Sequence, residues 1–146
     1  MASHRLATIF SVNGKIATYA MFFKTIFASK YLNMEDRSID CKSYTAEEII
    51  SLLFDIYPEL QNHQRKRKHV YIGMTNDIKR RTLEHNISID EIIFYAQTAN
   101  QRVAAKVEEL AKELGFEIGE VEHGGNGTNS YSIYIYAYVI TKYSRQ

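Results

Sequence analysis

"HVYIGMTNDIKRRTLEHN", His69 to Asn86, runs from strand-favouring into helix-favouring residues, and the fold is read outward from it. Residues 69–73 read as a short strand ending on Gly73. A helix is predicted over 76–86, with Thr75 as its N-cap and Asp77 in a first turn where the helix dipole favours an acid. Arg81 and His85 are four apart and project from one face, whereas Lys79 and Arg80 point elsewhere. Tyr71 and Gly73, two apart in the strand, share a face. Gly73 also lets another backbone or a phosphate approach closely. A hydroxyl, a guanidinium and an imidazole are thus placed to converge. An arginine beside a histidine is easier to explain if an anion sits between them, although many inert surfaces carry a strand, a glycine and a basic helix.

The whole chain fits one domain. It has 146 residues, 45% hydrophobic and 24% charged, close to the globular average, which speaks against wholesale disorder. Its single cysteine, Cys41, excludes an intramolecular disulfide and a cysteine-based zinc cluster, and suits a reducing compartment such as the cytoplasm. No apolar run has membrane-spanning length, and the start "MASHRLATIF" lacks the order of a signal peptide. The net charge of +1 means that any attraction to nucleic acid must come from local patches. The clearest patch is "RKRK", Arg65, Lys66, Arg67 and Lys68, which reads as a solvated loop or as a contact.

Elsewhere the pattern is mixed α/β (α+β). Asn13-Gly14 between two β-favouring runs predicts a hairpin over 5–12 and 15–24, and 28–44 reads as an irregular loop. Thr45 with Glu48 forms a capping box ahead of Ile49, Ile50, Leu53 and Ile56, giving a helix over 46–57 that ends at Pro58. A strand is predicted over 91–97. A second helix follows, with Val103, Val107, Leu110 and Leu114 in one stripe and Gly115 ending it. After the Gly-rich "HGGNGTN", the strand "YSIYIYAYVI" puts Ile133, Ile135, Ala137 and Val139 on a core face. Tyr134, Tyr136 and Tyr138 lie on the other, where they cover a helix, form a subunit contact or stack on a ligand.

Arg102, Lys106, Glu109 and Glu113 suffice for ion pairs on the outer face of the second helix. Glu108 is off that face, between Ala104 and Ala111, and a half-enclosed carboxylate needs a basic partner or a divalent cation. A salt bridge to Arg81 and a magnesium site both satisfy it.

"VYIGMTNDIKRRTLEHN" resembles the second half of the GIY-YIG nuclease signature. Tyr71 and Gly73 match the tyrosine and glycine of "YIG", Arg81 the family arginine, and His85 the histidine of many members. Glu108, after Ala104, matches the metal-binding glutamate. Asn126 matches the late asparagine, with Asn129 as rival. The first motif tyrosine is not at its usual spacing: Tyr19 in the hairpin is favoured over Tyr57. Residues 25–67 then form an insertion carrying one helix.

The resemblance implies a small, mostly antiparallel central sheet flanked by helices. It also implies Mg²⁺-dependent hydrolysis of DNA phosphodiesters, with Mn²⁺ as a substitute. Glu108 would hold the ion, Arg81 would contact the phosphate, Tyr71 would orient or deprotonate water, and His85 and Tyr19 would assist. Arg65 to Lys68, Lys79 and Arg80 would hold flanking phosphates. Two other readings are a catalytically silent nucleic-acid-binding module on the same fold and an assembly domain using the tyrosine face. Cutting both strands from one centre per chain suggests a homodimer or two successive events.

Overall fold

The computed structural model describes residues 38–119 and 133–145. The predicted hairpin with Tyr19, and the Gly-rich stretch with Asn126 and Asn129, lie outside the described residues. A five-stranded sheet has the order β1-β3-β5-β2-β4. Its strands are β1 (Ile39–Cys41), β2 (Val70–Thr75), β3 (Ile92–Thr98), β4 (Glu117–Ile118) and β5 (Tyr134–Val139). The helices are α1 (Ala46–Ile56), α2 (Pro58–Asn62), α3 (Gln64–Arg67), α4 (Ile78–Glu84) and α5 (Gln101–Glu113), with a 3₁₀ turn at Ile89–Glu91. This is an α+β fold. The three inner strands are antiparallel, but both edge strands, β1 and β4, run parallel to their neighbours, so the sheet is mixed.

Local chemistry accounts for most boundaries. The capping box closes as expected: the Glu48 N–H donates to Thr45 Oγ1 at 3.2 Å and the Thr45 N–H to Glu48 at 2.8 Å. Helix α1 buries Ile49, Leu52, Leu53 and Ile56 and packs on α5, which buries Ala104, Val107 and Ala111. The small alanines let α5 lie close to its neighbours, so the most buried face is rotated from the predicted stripe, leaving Val103, Leu110 and Leu114 part-buried. Gly115 has φ 88°, and the Phe116 N–H reaches the Ala111 carbonyl at 3.0 Å, the glycine-terminated helix end expected there. Among the described residues no helix is long and apolar enough to cross a membrane.

Three expectations are corrected. The loop over 28–44 contains β1, because Ile39 and Cys41 are buried against β3; burial pushes the Cys41 thiol up to about 12. From residue 38 onward the supposed insertion holds a strand and three helices instead of one helix, and α1 belongs to the core. Val139, expected on the core face of β5, is exposed at the strand end, whereas Ile135 and Ala137 are buried as expected and Tyr136 and Tyr138 are buried on the opposite face.

"RKRK" is likewise more than a solvated loop, for Arg67 holds two helix ends together. Its guanidinium donates to the carbonyls of Leu60 at 2.7 Å, Gln61 at 2.9 Å and Leu114 at 3.1 Å, and lies over the Phe54 ring. Arg65, Lys66 and Lys68 are exposed. Charge-assisted bonds of this kind contribute more than neutral ones. Arg67→Ala is therefore expected to lower unfolding stability in urea by about 2–3 kcal/mol, and Arg65→Ala by less than about 0.5 kcal/mol.

Candidate active site

Strand β2 delivers Tyr71 and Gly73 to the site, and β5 runs antiparallel beside it with Tyr138 opposite Tyr71 and Tyr136 opposite Gly73. Residues directly opposite in such a ladder share a face, so the tyrosines crowd over the glycine. A Cβ built on Gly73 would lie 2.8 Å from the Tyr136 oxygen and 2.8 Å from Tyr71 Cε1. The close approach at Gly73 is thus made by two tyrosine side chains, not by a backbone or a phosphate.

The helix after β2 starts later than predicted. Its N-cap is Asp77, whose Oδ1 accepts from the Arg80 N–H at 3.0 Å. Thr75 is instead the last residue of β2, opposite Tyr134, because β5 offers pairing that far, and its hydroxyl oxygen accepts from the Asp77 N–H at 2.9 Å. Arg81 and His85 keep their one-turn spacing, with His85 as the C-cap whose N–H donates to the Arg81 carbonyl at 2.9 Å. Its ring is buried against Tyr71 and Tyr138, with centroids 4.6 Å and 5.2 Å away.

One chain of hydrogen bonds links these groups. The Tyr71 hydroxyl oxygen interacts with the Gly119 N–H and the Tyr136 hydroxyl. The Tyr136 hydroxyl lies 2.7 Å from His85 Nε2, and His85 Nδ1 lies 2.9 Å from the Arg145 carbonyl. Burial raises the Tyr71 phenol above its ordinary value, as does Glu108, while Tyr136, Arg81 and Gly119 pull it down. Burial also raises Tyr136 and Tyr138. It lowers His85, where the Arg145 carbonyl and Glu84 act upward and Arg81 downward.

Arg81 and Glu108 complete the site from two helices. β4 pairs with β2 only as far as Ile72, and the Met74 N–H just beyond donates to Glu108 Oε1 at 2.8 Å. Burial raises the Glu108 carboxyl above its usual range, opposed by the Met74 N–H and by the charge of Arg81. Arg81 and Glu108 feel each other's charge but form no ion pair among the described residues, so of the two alternatives for Glu108 the salt bridge is not the one formed. Arg81 pairs instead with Glu84, at 2.9 Å through one terminal nitrogen, while its Nε is buried without a hydrogen-bond partner among the described residues. An unpaired buried donor on a cation is costly and suits a site that receives an anionic acceptor.

Tyr71 thus packs on His85, and its phenol feels the charges of both Arg81 and Glu108, with Gly73 beneath the tyrosine rings. Tyr57 is engaged elsewhere, donating its hydroxyl to the Ile93 carbonyl at 2.7 Å. Arg80 pairs with Glu84 one turn on at the helix surface, and Lys79 is exposed. Two tyrosines flank Tyr71 among the described residues, Tyr138 with ring centroids 5.0 Å apart and Tyr136 at 5.9 Å, and the hydroxyl of Tyr136 is the one that reaches His85. The alternation of Tyr134, Tyr136 and Tyr138 was the available signal, but pairing register with β2 is invisible in sequence. Gly119 was missed for the same reason: a Cβ there would lie 2.9 Å from the Tyr71 hydroxyl.

Among the described residues no group of three or more His, Cys, Asp or Glu side chains forms a cluster for a metal ion. A single carboxylate with a hard oxygen donor fits a magnesium ion that keeps most of its water, and does not fit structural zinc. No protein-family model, curated protein or solved structure gives a significant match to the chain.

Two outcomes follow from this packing. Gly73→Ala is expected to lower stability in chemical denaturation by about 1–3 kcal/mol, the usual penalty for overpacking, and to change the near-ultraviolet circular dichroism of the tyrosines. His85 is held neutral below its ordinary value of 6.5, so the unfolded chain takes up a proton first as pH falls. Its contribution is present above that value and lost as pH drops through the folded value. Melting temperature should fall more steeply between about pH 7 and 5 in wild type than in His85→Gln.

Proposed function

We propose that the protein is a GIY-YIG-type endonuclease that hydrolyses DNA phosphodiester bonds with Mg²⁺, or Mn²⁺ in its place. The observation that carries this reading is the orphaned, buried Nε of Arg81 near the Glu108 carboxylate, with the two side chains in electrostatic reach but not bonded. A cation and a carboxylate held apart in this way suit a phosphate and its counter-ion better than they suit each other.

Glu108 would hold the ion, which when bound stabilises negative charge on the phosphate and on the leaving 3′ oxygen. Glu108 is itself oriented by the Met74 N–H, which fixes one oxygen. Arg81 donates from Nε to a non-bridging phosphate oxygen, while Glu84 steadies the other side of the guanidinium. Tyr71 orients the attacking water; its phenol is raised, so it is protonated at neutral pH and acts as a base only if a neighbour takes its proton. The Tyr136 hydroxyl and His85 offer that route. As water oxygen bonds to phosphorus, the bond to the 3′ oxygen breaks. Exposed Arg65, Lys66, Lys68 and Lys79 contact flanking phosphates and contribute salt-dependent affinity without sequence information.

Incubation of supercoiled plasmid with the protein and Mg²⁺ tests the reading. Wild type should nick or linearise the plasmid. Arg81→Ala should be slower by about 10²–10³-fold, the usual cost of a lost charge-stabilising donor, and Glu108→Gln should be inactive, both with most DNA binding retained in a gel shift. Cutting by Glu108→Gln at the wild-type rate would remove the metal assignment. Salt-dependent binding that never yields a nick with Mg²⁺ or Mn²⁺ would favour the catalytically silent module.

A further inference from the structure

We infer that the backbone carbonyl of Arg145 is a positioning group that makes His85 the proton acceptor of the Tyr71–Tyr136 hydroxyl pair. A carbonyl oxygen only accepts, so the 2.9 Å contact to His85 requires the proton on Nδ1. In the opposite tautomer two lone pairs would face each other. With Nδ1 protonated and the ring neutral in its buried setting, Nε2 carries a lone pair and accepts from the Tyr136 hydroxyl at 2.7 Å. Tyr136 has then used its proton, and its oxygen accepts from Tyr71, whose own oxygen accepts from the Gly119 N–H. Every bond in the chain points the same way, from Gly119 through both phenols to the imidazole.

The carbonyl is held in place by structure built for it. The Arg145 N–H donates to the His85 carbonyl at 2.7 Å, closing the end of α4, and the Tyr138 hydroxyl donates to the same Arg145 carbonyl at 3.1 Å. Asn86, at φ 53°, turns its side-chain amide onto the Tyr143 carbonyl at 2.9 Å. Thr141 and Ser144 close the intervening turn through the Thr141 N–H to Ser144 Oγ and the Ser144 hydroxyl to the Thr141 carbonyl, both at 2.9 Å. The Arg145 side chain is not needed for any of these contacts.

The consequence for chemistry rests on the proposed nuclease reading. When Tyr71 takes a proton from the attacking water, its own proton passes to Tyr136 and that of Tyr136 to His85 Nε2. Water loses one proton, the imidazole gains one, and both phenols end neutral. After the product leaves, the imidazole's extra proton returns through Tyr136 and Tyr71 to solvent water, which resets the site.

Long-range ¹H–¹⁵N spectra of histidine-labelled, full-length protein at neutral pH show which ring nitrogen carries the proton. Wild type should show Nδ1–H with Nε2 bare, and Tyr136→Phe and Arg145→Ala should keep that form, because the backbone carbonyl remains. Two variants release the turn: Asn86→Gly, which tolerates the positive φ but lacks the amide, and Arg145→Pro, which lacks the N–H. Both should shift His85 towards Nε2–H, the form that free imidazole prefers, while the backbone amide spectrum of the sheet is preserved. Arg145→Pro should also slow single-turnover cleavage roughly 100-fold, the low end of what losing acid–base help costs.

An Nε2–H tautomer in wild type overturns the inference, as does an unchanged tautomer in a variant whose spectrum shows the turn released. A shifted tautomer with unaltered cleavage overturns the role in the reaction. A wild type that never cuts, yet shows the expected tautomers, ends the nuclease reading and leaves the positioning of His85 established.

Discussion

The pairing of Gly73 with Tyr136 across β2 and β5 is the contact on which the site depends. Any side chain at residue 73 would occupy the space of the Tyr136 and Tyr71 rings, and a one-residue slip of β5 would turn its tyrosines to the opposite face of the sheet. With this register, three tyrosine rings and the His85 imidazole pack within 4.6 to 6.5 Å of one another, centroid to centroid. The helix that follows β2 is then bound to bring Arg81 to the same place, since only Asn76 and the Asp77 cap separate strand from helix.

Burying so many polar atoms is tolerable because, Arg81 Nε apart, the buried side-chain polar atoms of the site are given partners of the right polarity. Tyr136 meets His85, Tyr138 and His85 meet the Arg145 carbonyl, and Glu108 meets the Met74 N–H. Networks of this kind stiffen a site when complete, and a gap in one is costly. The gap here is Arg81 Nε, on the side chain best suited to bind phosphate, beside a carboxylate whose pull is already divided. The same burial keeps Tyr71 protonated, so under the proposed nuclease reading its hydroxyl would act as a base only with the help of the imidazole behind it.

Features set by short spacing were legible in the sequence. The Thr45–Glu48 box, the helix end at Gly115, and the shared face of Arg81 and His85 all depend on residues within a turn or two of each other. Glu108 was found by its half-buried phase between alanines. The features that could not be read come from pairing between distant segments. Asp77 displaced Thr75 as the cap because β5 extends β2, Arg67 became a clamp because α5 ends beside α2, and Tyr136 reached Tyr71 through a register that no local pattern encodes. Ile39 and Cys41 formed a strand for the same reason, since their polar neighbours hid a two-residue alternation that only β3 makes meaningful.

The most direct test of a shared phosphate and cation site at Arg81 and Glu108 is a crystal structure of the protein with a short DNA duplex and Mn²⁺, the ion located by its anomalous scattering. The account predicts a manganese peak within ligation distance of Glu108, and a phosphate whose oxygen accepts from Arg81 Nε. Manganese bound away from Glu108, or a duplex whose phosphates avoid Arg81 while Nε acquires a protein partner, would contradict it.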